Sequence, residues 1–297
     1  MKSSMLIYGS SFTENTLSQK ELEELHNALF GILLDVKKVC EDNSIKFFLC
    51  GGTALGAIRH KGFIPWDDDV DIMMLRSEYE RFRTCFREAF PDKYLLAEPL
   101  DEDYTNKKPK IYLNKSVYKE VVYAGLPDRY NRVFIDIFPI ENVPSSKIIR
   151  KINGALYDFA FIAASLAADY KYPSPVILNK CQEDSHLKKY YYTRLRLGEF
   201  FQMFFGMKFY LKLTERLSHV NKNTGWTGMP SARVYNRIIF PLSMFQESIM
   251  VDFNGVKFPV PKDYDNYLTH LYGNYMVLPK EEDRSIHSAA EFKLLEE

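Results

Sequence analysis

The stretch from Phe47 to Leu75 holds the residues of this chain best suited to chemistry. An apolar run ends at Cys50, and Gly51-Gly52-Thr53 follow at once. A basic loop (Arg59, His60, Lys61) leads through Ile64-Pro65-Trp66 to Asp67, Asp68, Asp69 and Asp71. From Asp69 onward the pattern Val70-Asp71-Ile72 alternates as a strand does, so Asp69 and Asp71 point to one face. Two carboxylates on one face repel unless a cation lies between them, which makes the pair a candidate site for a hard metal. Taken singly, a glycine pair is a tight turn and an aspartate run is a solvated loop. Together they match phosphate chemistry, which needs both a backbone N–H cradle and a metal. A calcium loop is the other specific reading. Asp67, Asp69, Asp71 and Glu78 fall at its positions 1, 3, 5 and 12, but Ile72 replaces the glycine it requires, and Glu78 fits better in a helix start.

Several elements must position these residues. Ser18-Gln19-Lys20-Glu21 is a capping box, followed by a helical stripe of Leu22, Leu25, Leu29, Leu33, Val36 and Cys40. Asn43-Ser44 breaks the helix, and Lys46 to Cys50 form the strand that feeds the glycines. Val70 to Leu75 is a second strand. Ser77-Glu78-Tyr79-Glu80 reads as another capping box, opening a helix that runs to about Phe90 before Pro91. Residues 93–98, 109–114 and 117–123 read as strands, and Asn131 to Ile140 holds a clearer one. Within it, Val133-Phe134-Ile135-Asp136-Ile137-Phe138 sets one acid among apolar neighbours. Such an acid is costly unless paired, protonated or metal-bound, the plain alternative being an outward-facing strand position. From 147 to about 222 the pattern is helical and aromatic. Val251 to Pro261 reads as a hairpin about Asn254-Gly255, and Asp263 to Tyr272 as a helix that stops at Gly273.

The motifs are similar to those of a known family. Gly51-Gly52-Thr53-Ala54-Leu55-Gly56, with Arg59-His60-Lys61-Gly62-Phe63-Ile64-Pro65-Trp66-Asp67-Asp68-Asp69-Val70-Asp71, resembles the signature of the LicD phosphocholine transferases. That family includes the fukutin-related ribitol-phosphate transferases and belongs to the nucleotidyltransferase-fold superfamily. Phe134 to Pro139 resembles its third-acid segment. Val260 to Leu268 and Leu271 to Pro279 resemble its closing motif, with Asn274 where Asp is common and with Arg284 and His287 beyond. The resemblance implies an α/β (α+β) fold: a nucleotidyltransferase-like mixed β-sheet flanked by helices, with a mainly helical C-terminal portion. It implies Asp69, Asp71 and Asp136 as catalytic residues and as ligands of Mg²⁺ (or Mn²⁺). Gly51, Gly52, Thr53, Arg59, Lys110, Arg284 and His287 would bind the donor. Charge alone would not single out Lys110 from Lys107, Lys108 and Lys115. Trp66 reads as a packing residue rather than a cage for a quaternary ammonium group.

The activity so implied is transfer of phosphocholine from CDP-choline to a hydroxyl of a cell-surface glycan or its lipid-linked precursor, such as teichoic acid or lipopolysaccharide. CMP would leave after in-line attack on phosphorus. Three rivals stay open: transfer of ribitol or glycerol phosphate from a CDP-alcohol, nucleotidyl transfer with loss of pyrophosphate, and a non-catalytic glycan- or membrane-binding protein.

The chain of 297 residues carries 39 Lys and Arg against 39 Asp and Glu, so no global field draws it to nucleic acid. It divides on sequence into a loose tail (1–17), a catalytic core (18–146) and a helical region (147–297) that completes the cleft, core and region forming one compact unit. Cys40, Cys50, Cys85 and Cys181 are scattered, which argues against a zinc site or a disulfide scaffold and for a reducing compartment. The first residues lack the apolar core of a signal peptide, and the longest apolar run, Phe159 to Ala168, is too short to span a bilayer. The expectation is a cytoplasmic protein, with peripheral association at the inner membrane face left open. His186 to Leu213 mixes basic and aromatic residues and could lie on an anionic membrane. A core helix with a wetted edge is the preferred reading.

Overall fold

A computed structural model describes residues 16–232, 234–280, 284 and 288–295. Helix α1 (Gln19–Asp42) opens with the expected capping box: Ser18 Oγ accepts from the Glu21 N–H, and the Glu21 carboxylate accepts from the Ser18 N–H at 2.8 Å. Its stripe of Leu25, Leu29, Leu33, Val36 and Cys40 is buried, joined by Ile32 and Val39. Each fully buried aliphatic side chain there contributes roughly 1.5–3 kcal/mol.

Strand β1 (Phe48–Leu49) leads directly into helix α2 (Gly51–Arg59), and an extended loop carries the chain to β2 (Asp71–Leu75). Helix α3 (Arg76–Ala89) starts straight off β2, so Ser77 already lies inside its first turn. The capping box expected at Ser77–Glu80 therefore does not form. Leu75 is the cap residue, and Glu78 instead accepts from the Lys46 N–H at 3.3 Å and pairs with Arg81 at 3.1 Å.

Strands β3 (Tyr94–Ala97), β4 (Lys110–Leu113), β5 (Ser116–Glu120) and β6 (Phe134–Asn142) follow where the pattern placed them. The main sheet has the order β1-β2-β6-β4-β3 and is mixed: β2 and β6 run parallel, while β1–β2, β6–β4 and β4–β3 are antiparallel. Strand β6 is buried on both faces from Phe134 to Glu141, as a central strand must be. Its far end pairs with β7 (Trp226–Gly228), which pairs with β8 (Ile239–Pro241). Helices α1 and α3 pack on the sheet face that carries Ile72, Met74, Ile135 and Ile137, all buried.

Between β6 and β7 come four helices: α4 (Lys147–Lys171), α5 (Pro175–Lys180), α6 (Ser185–Phe204) and α7 (Met207–Ser218). The hairpin β9 (Ser248–Phe253) and β10 (Val256–Pro261) turns on Asn254 and Gly255, both at positive φ. Helix α8 (Tyr264–Tyr272) stops at Gly273, and β11 (Ala289–Leu294) returns to pair with β5.

Candidate active site

The parallel register of β2 and β6 sets Asp71 directly beside Asp136, and antiparallel β4 sets Lys110 opposite Asp136 on the other side. Two acids and a lysine thus form a row across three adjacent strands. The Lys110 ammonium is 3.4 Å from Asp136 Oδ1, and the Lys108 ammonium contacts Asp136 Oδ2. Burial by itself would raise the Asp136 carboxyl, but Lys108 and Lys110 outweigh it and hold it below the ordinary carboxylate value. Burial would likewise deprotonate Lys108; Asp136 first, then Asp71 and Asp69, keep it charged. All three predicted acids therefore act on one ammonium group.

The glycines do not form a free turn. They are the first residues of α2, with Cys50 as its cap residue, so their amides lie at the positive end of a helix dipole. Gly51 has φ +49°, and a Cβ there would lie 3.1 Å from Asp71 Oδ2. A Cβ on Gly52 would lie 2.8 Å from Asp67 Oδ2. Gly51 is favoured by its positive φ, and a side chain at either glycine would displace a carboxylate. Thr53 is buried, and its hydroxyl oxygen accepts from the Asp71 N–H at 2.8 Å, tying the acid strand to the helix.

Side chains from distant parts of the chain fix the loop. His26 Nε2 of α1 lies 2.6 Å from the Asp67 carbonyl, and the His26 ring stacks on Phe63 at 4.0 Å. Tyr118 donates to buried Asp68 at 2.8 Å. Tyr267 of α8 accepts from the Gly51 N–H at 3.2 Å, and its hydroxyl lies 3.3 Å from Cys50 Sγ. Burial, then nearby Asp71, pushes the Cys50 thiol far up, so it is no nucleophile at neutral pH.

The basic residues expected at the donor site divide. Lys110 is buried beside Asp136. The Arg59 guanidinium donates to the Tyr275 carbonyl at 2.7 Å and clips the segment after α8 to the end of α2. Arg284 stacks on the Trp66 ring, 4.2 Å from its centroid, so Trp66 does pack, against a cation. His287 lies outside the described residues.

Sequence reasoning missed Lys108 as part of this group. The available signal was its spacing: it stands two residues before Lys110, and in an extended chain such residues share a face. It missed Tyr267 and His26 as well, since nothing local marks a long-range contact.

The all-carboxylate donor set is that of Mg²⁺ or Mn²⁺. Among the described residues no three His, Cys, Asp or Glu side chains stand close enough to hold one ion. Mg²⁺ commonly takes one or two carboxylates and completes its shell with substrate phosphates and water. In that mode Asp69 and Asp71 would supply the carboxylates, while Asp136 is held by Lys108 and Lys110.

Residues 44–164 match the family model described as LicD/FKTN/FKRP, nucleotidyltransferase domain. Along 92% of its length the chain is 30% identical to the lipopolysaccharide cholinephosphotransferase LicD of Haemophilus influenzae, covering 98% of that protein. An uncharacterised protein of Rickettsia typhi is 38% identical over 114 residues, 38% of this chain and 34% of that one. The chain belongs to the LicD family and is an enzyme of that type, a transferase.

Proposed function

We propose that the protein transfers phosphocholine from CDP-choline to a hydroxyl of lipopolysaccharide or a related lipid-borne glycan, in a Mg²⁺-dependent reaction. The observation that carries this reading is the row of Asp71, Asp136 and Lys110, with Asp69 and Lys108 beside it, in a chain matched along 92% of its length by a lipopolysaccharide cholinephosphotransferase. When bound, the ion would neutralise the donor diphosphate. The first-turn amides of α2 other than that of Gly51, which donates to Tyr267, would receive the diphosphate, and Lys108 and Lys110 would add charge to the oxygens of the moving group. Asp136, held ionised, orients the acceptor hydroxyl. The hydroxyl oxygen bonds to phosphorus in line, the bond to CMP breaks with its electrons leaving on CMP, and the hydroxyl proton passes to Asp136 and on to solvent. Positioning supplies most of the rate, since such transfer demands little covalent help.

In this reading residues 18–146 carry the chemistry, the aromatic middle (150–245) sets the acceptor, and the closing segment with Arg284 and His287 adds donor contacts. The described cysteines are all free, in keeping with a reducing compartment where a nucleotide donor is made. Thermal unfolding with Mg²⁺ and a panel of CDP-choline, CDP-ribitol and CDP-glycerol tests the donor. A ligand at about a hundred times its Kd stabilises by about 2.7 kcal/mol. A Mg²⁺-dependent shift with CDP-choline, lost in Asp69→Asn, is expected. A shift only with CDP-ribitol or CDP-glycerol would replace the choline assignment, and no shift with any donor would overturn the enzyme mechanism.

A further inference from the structure

Helix α4 is amphipathic in the wrong sense for a helix covered only by its own chain. The positions it turns inward, toward α6 and α7, are small: Ala163, Ala164, Ala167 and Ala168. At the crossing with α6, a Cβ on Gly198 would lie 2.1 Å from the Leu166 carbonyl, so the two backbones are nearly in contact. The large apolar residues face outward at helical spacing: Ile148 (72% exposed), Ile152 (59%), Leu156, Phe159 (54%) and Ile162. The same surface continues on α6 with Leu197, Phe200, Met203 (77%) and Phe204 (63%). Phe159 of α4 packs edge-on against Phe201 of α6, 6.2 Å between centroids, which joins the two stripes. The sequence-based preference for a core helix with a wetted edge over His186 to Leu213 holds for the first part of α6, where Lys188, Lys189 and Arg196 are exposed, and is corrected for its end, where the exposed residues are apolar. Soluble monomers rarely expose a contiguous apolar face of this kind without a partner.

Charge points to that partner. Residues 147–218 hold 12 Lys and Arg against 6 Asp and Glu, which leaves 27 against 33 for the remainder of a chain neutral overall. Exposed Lys147, Lys151, Arg196 and Lys208 border the apolar stripes. A second copy docking here by two-fold symmetry would set basic borders against basic borders. An anionic bilayer answers both features, taking the apolar side chains into its interface and the ammonium groups onto its head groups. No helix among the described residues is long and apolar enough to cross a membrane, so the contact is with one leaflet.

We propose that the outer face of α4 and α6 docks flat on an anionic lipid surface and brings the acid cleft to an acceptor held in that surface. The cleft's part in this rests on the lipid-borne acceptor proposed above. The test uses lipid alone, with neither donor nor acceptor, so its failure is separate from failure of the transferase reading.

The test is flotation of the full chain with vesicles of phosphatidylcholine, with and without one-third phosphatidylglycerol, beside sedimentation of the protein without lipid. The wild type is expected to float with the anionic vesicles and stay below with the neutral ones. Phe159→Asp with Phe204→Asp should weaken partition at least about tenfold. Lys147→Glu with Lys151→Glu should weaken it roughly tenfold at low salt and less at high salt. All four positions are exposed, so the variants should melt as the wild type does. A wild type that ignores anionic vesicles overturns the proposal, and so does an aspartate variant that floats equally well. A wild-type dimer that the aspartate pair dissociates, without any vesicle binding, would assign the face to a second copy instead.

Discussion

The acid cleft and the α4–α6 layer solve opposite problems. In the cleft, like charges are forced together by strand register and are cancelled within the chain, Lys108 and Lys110 answering Asp136, with Asp69 and Asp71 alongside. In the helical layer, α4 turns alanines toward α6 and α7 and a row of large apolar residues outward, and among the described residues that row stays exposed. The first region is complete in its folding and strained in its charge; the second is relaxed in charge and incomplete in its burial. We assign chemistry to the first region and a docking surface to the second.

The largest expected effect breaks the cleft. Asp69→Asn or Asp71→Asn should lower turnover about a thousandfold or more, since each removes a charge on which donor binding in the transition state depends. Each should lower the melting temperature less than Asp136→Asn does, because Asp69 and Asp71 support the buried Lys108 ammonium only after Asp136. Turnover within tenfold of wild type would remove that residue from the mechanism.

Asp136→Asn should differ in kind. It strands the buried Lys108 ammonium and should cost about 3–5 kcal/mol of stability, as removing one partner of a buried ion pair does. Adding Lys108→Met should recover most of that stability without recovering activity, and denaturant titration of the three variants would show it.

In the helical layer the order of sensitivity should be inverted. Ala163→Leu, at a buried position, should destabilise by about 1–3 kcal/mol through overpacking. Ile152→Ser, at an exposed one, should change stability by no more than about 0.5 kcal/mol. Equal costs would mean that α4 buries its large face after all.

A pH effect is expected where the two regions meet. The Lys107 ammonium lies 4.0 Å from the centre of the Phe161 ring of α4, and burial lowers its pKa to about 7, with Asp158 opposing. The unfolded chain keeps that proton to about pH 10. Between pH 7 and about 10 the unfolded state holds more protons, so this group makes stability rise with pH across that window. Melting curves at pH 6.5 and 9 should show a smaller rise in Lys107→Met than in wild type; an identical rise would remove Lys107 as its source.

The cleft was legible in sequence because chemistry constrains residue type and spacing there. Asp69 and Asp71 two apart, and Asp136 alone in an apolar strand, announced themselves without any knowledge of pairing. Lys108 did not, because its meaning depends on β4 lying beside β6. The glycines were read as a phosphate turn, but they open α2, since the helix starts on the residue after Cys50. The strands fell close to expectation, and so did the hairpin at Asn254-Gly255. The α4–α6 surface was not legible, because the spacing of apolar residues marks a face without saying whether protein or something else covers it. Alanines at Ala163 and Ala167 alternate with Phe159 and Ile162 in a way that reads equally well from either side.

The central claim is that the three acids transfer phosphocholine as a unit. The most direct measurement is mass spectrometry of a lipopolysaccharide acceptor after incubation with the protein, Mg²⁺ and CDP-choline labelled in the choline methyl groups. Labelled phosphocholine is expected on the glycan, with CMP released in equal amount, and neither product when Mg²⁺ is chelated. A glycan carrying the cytidylyl group, or unlabelled glycan alongside intact CDP-choline, would contradict it.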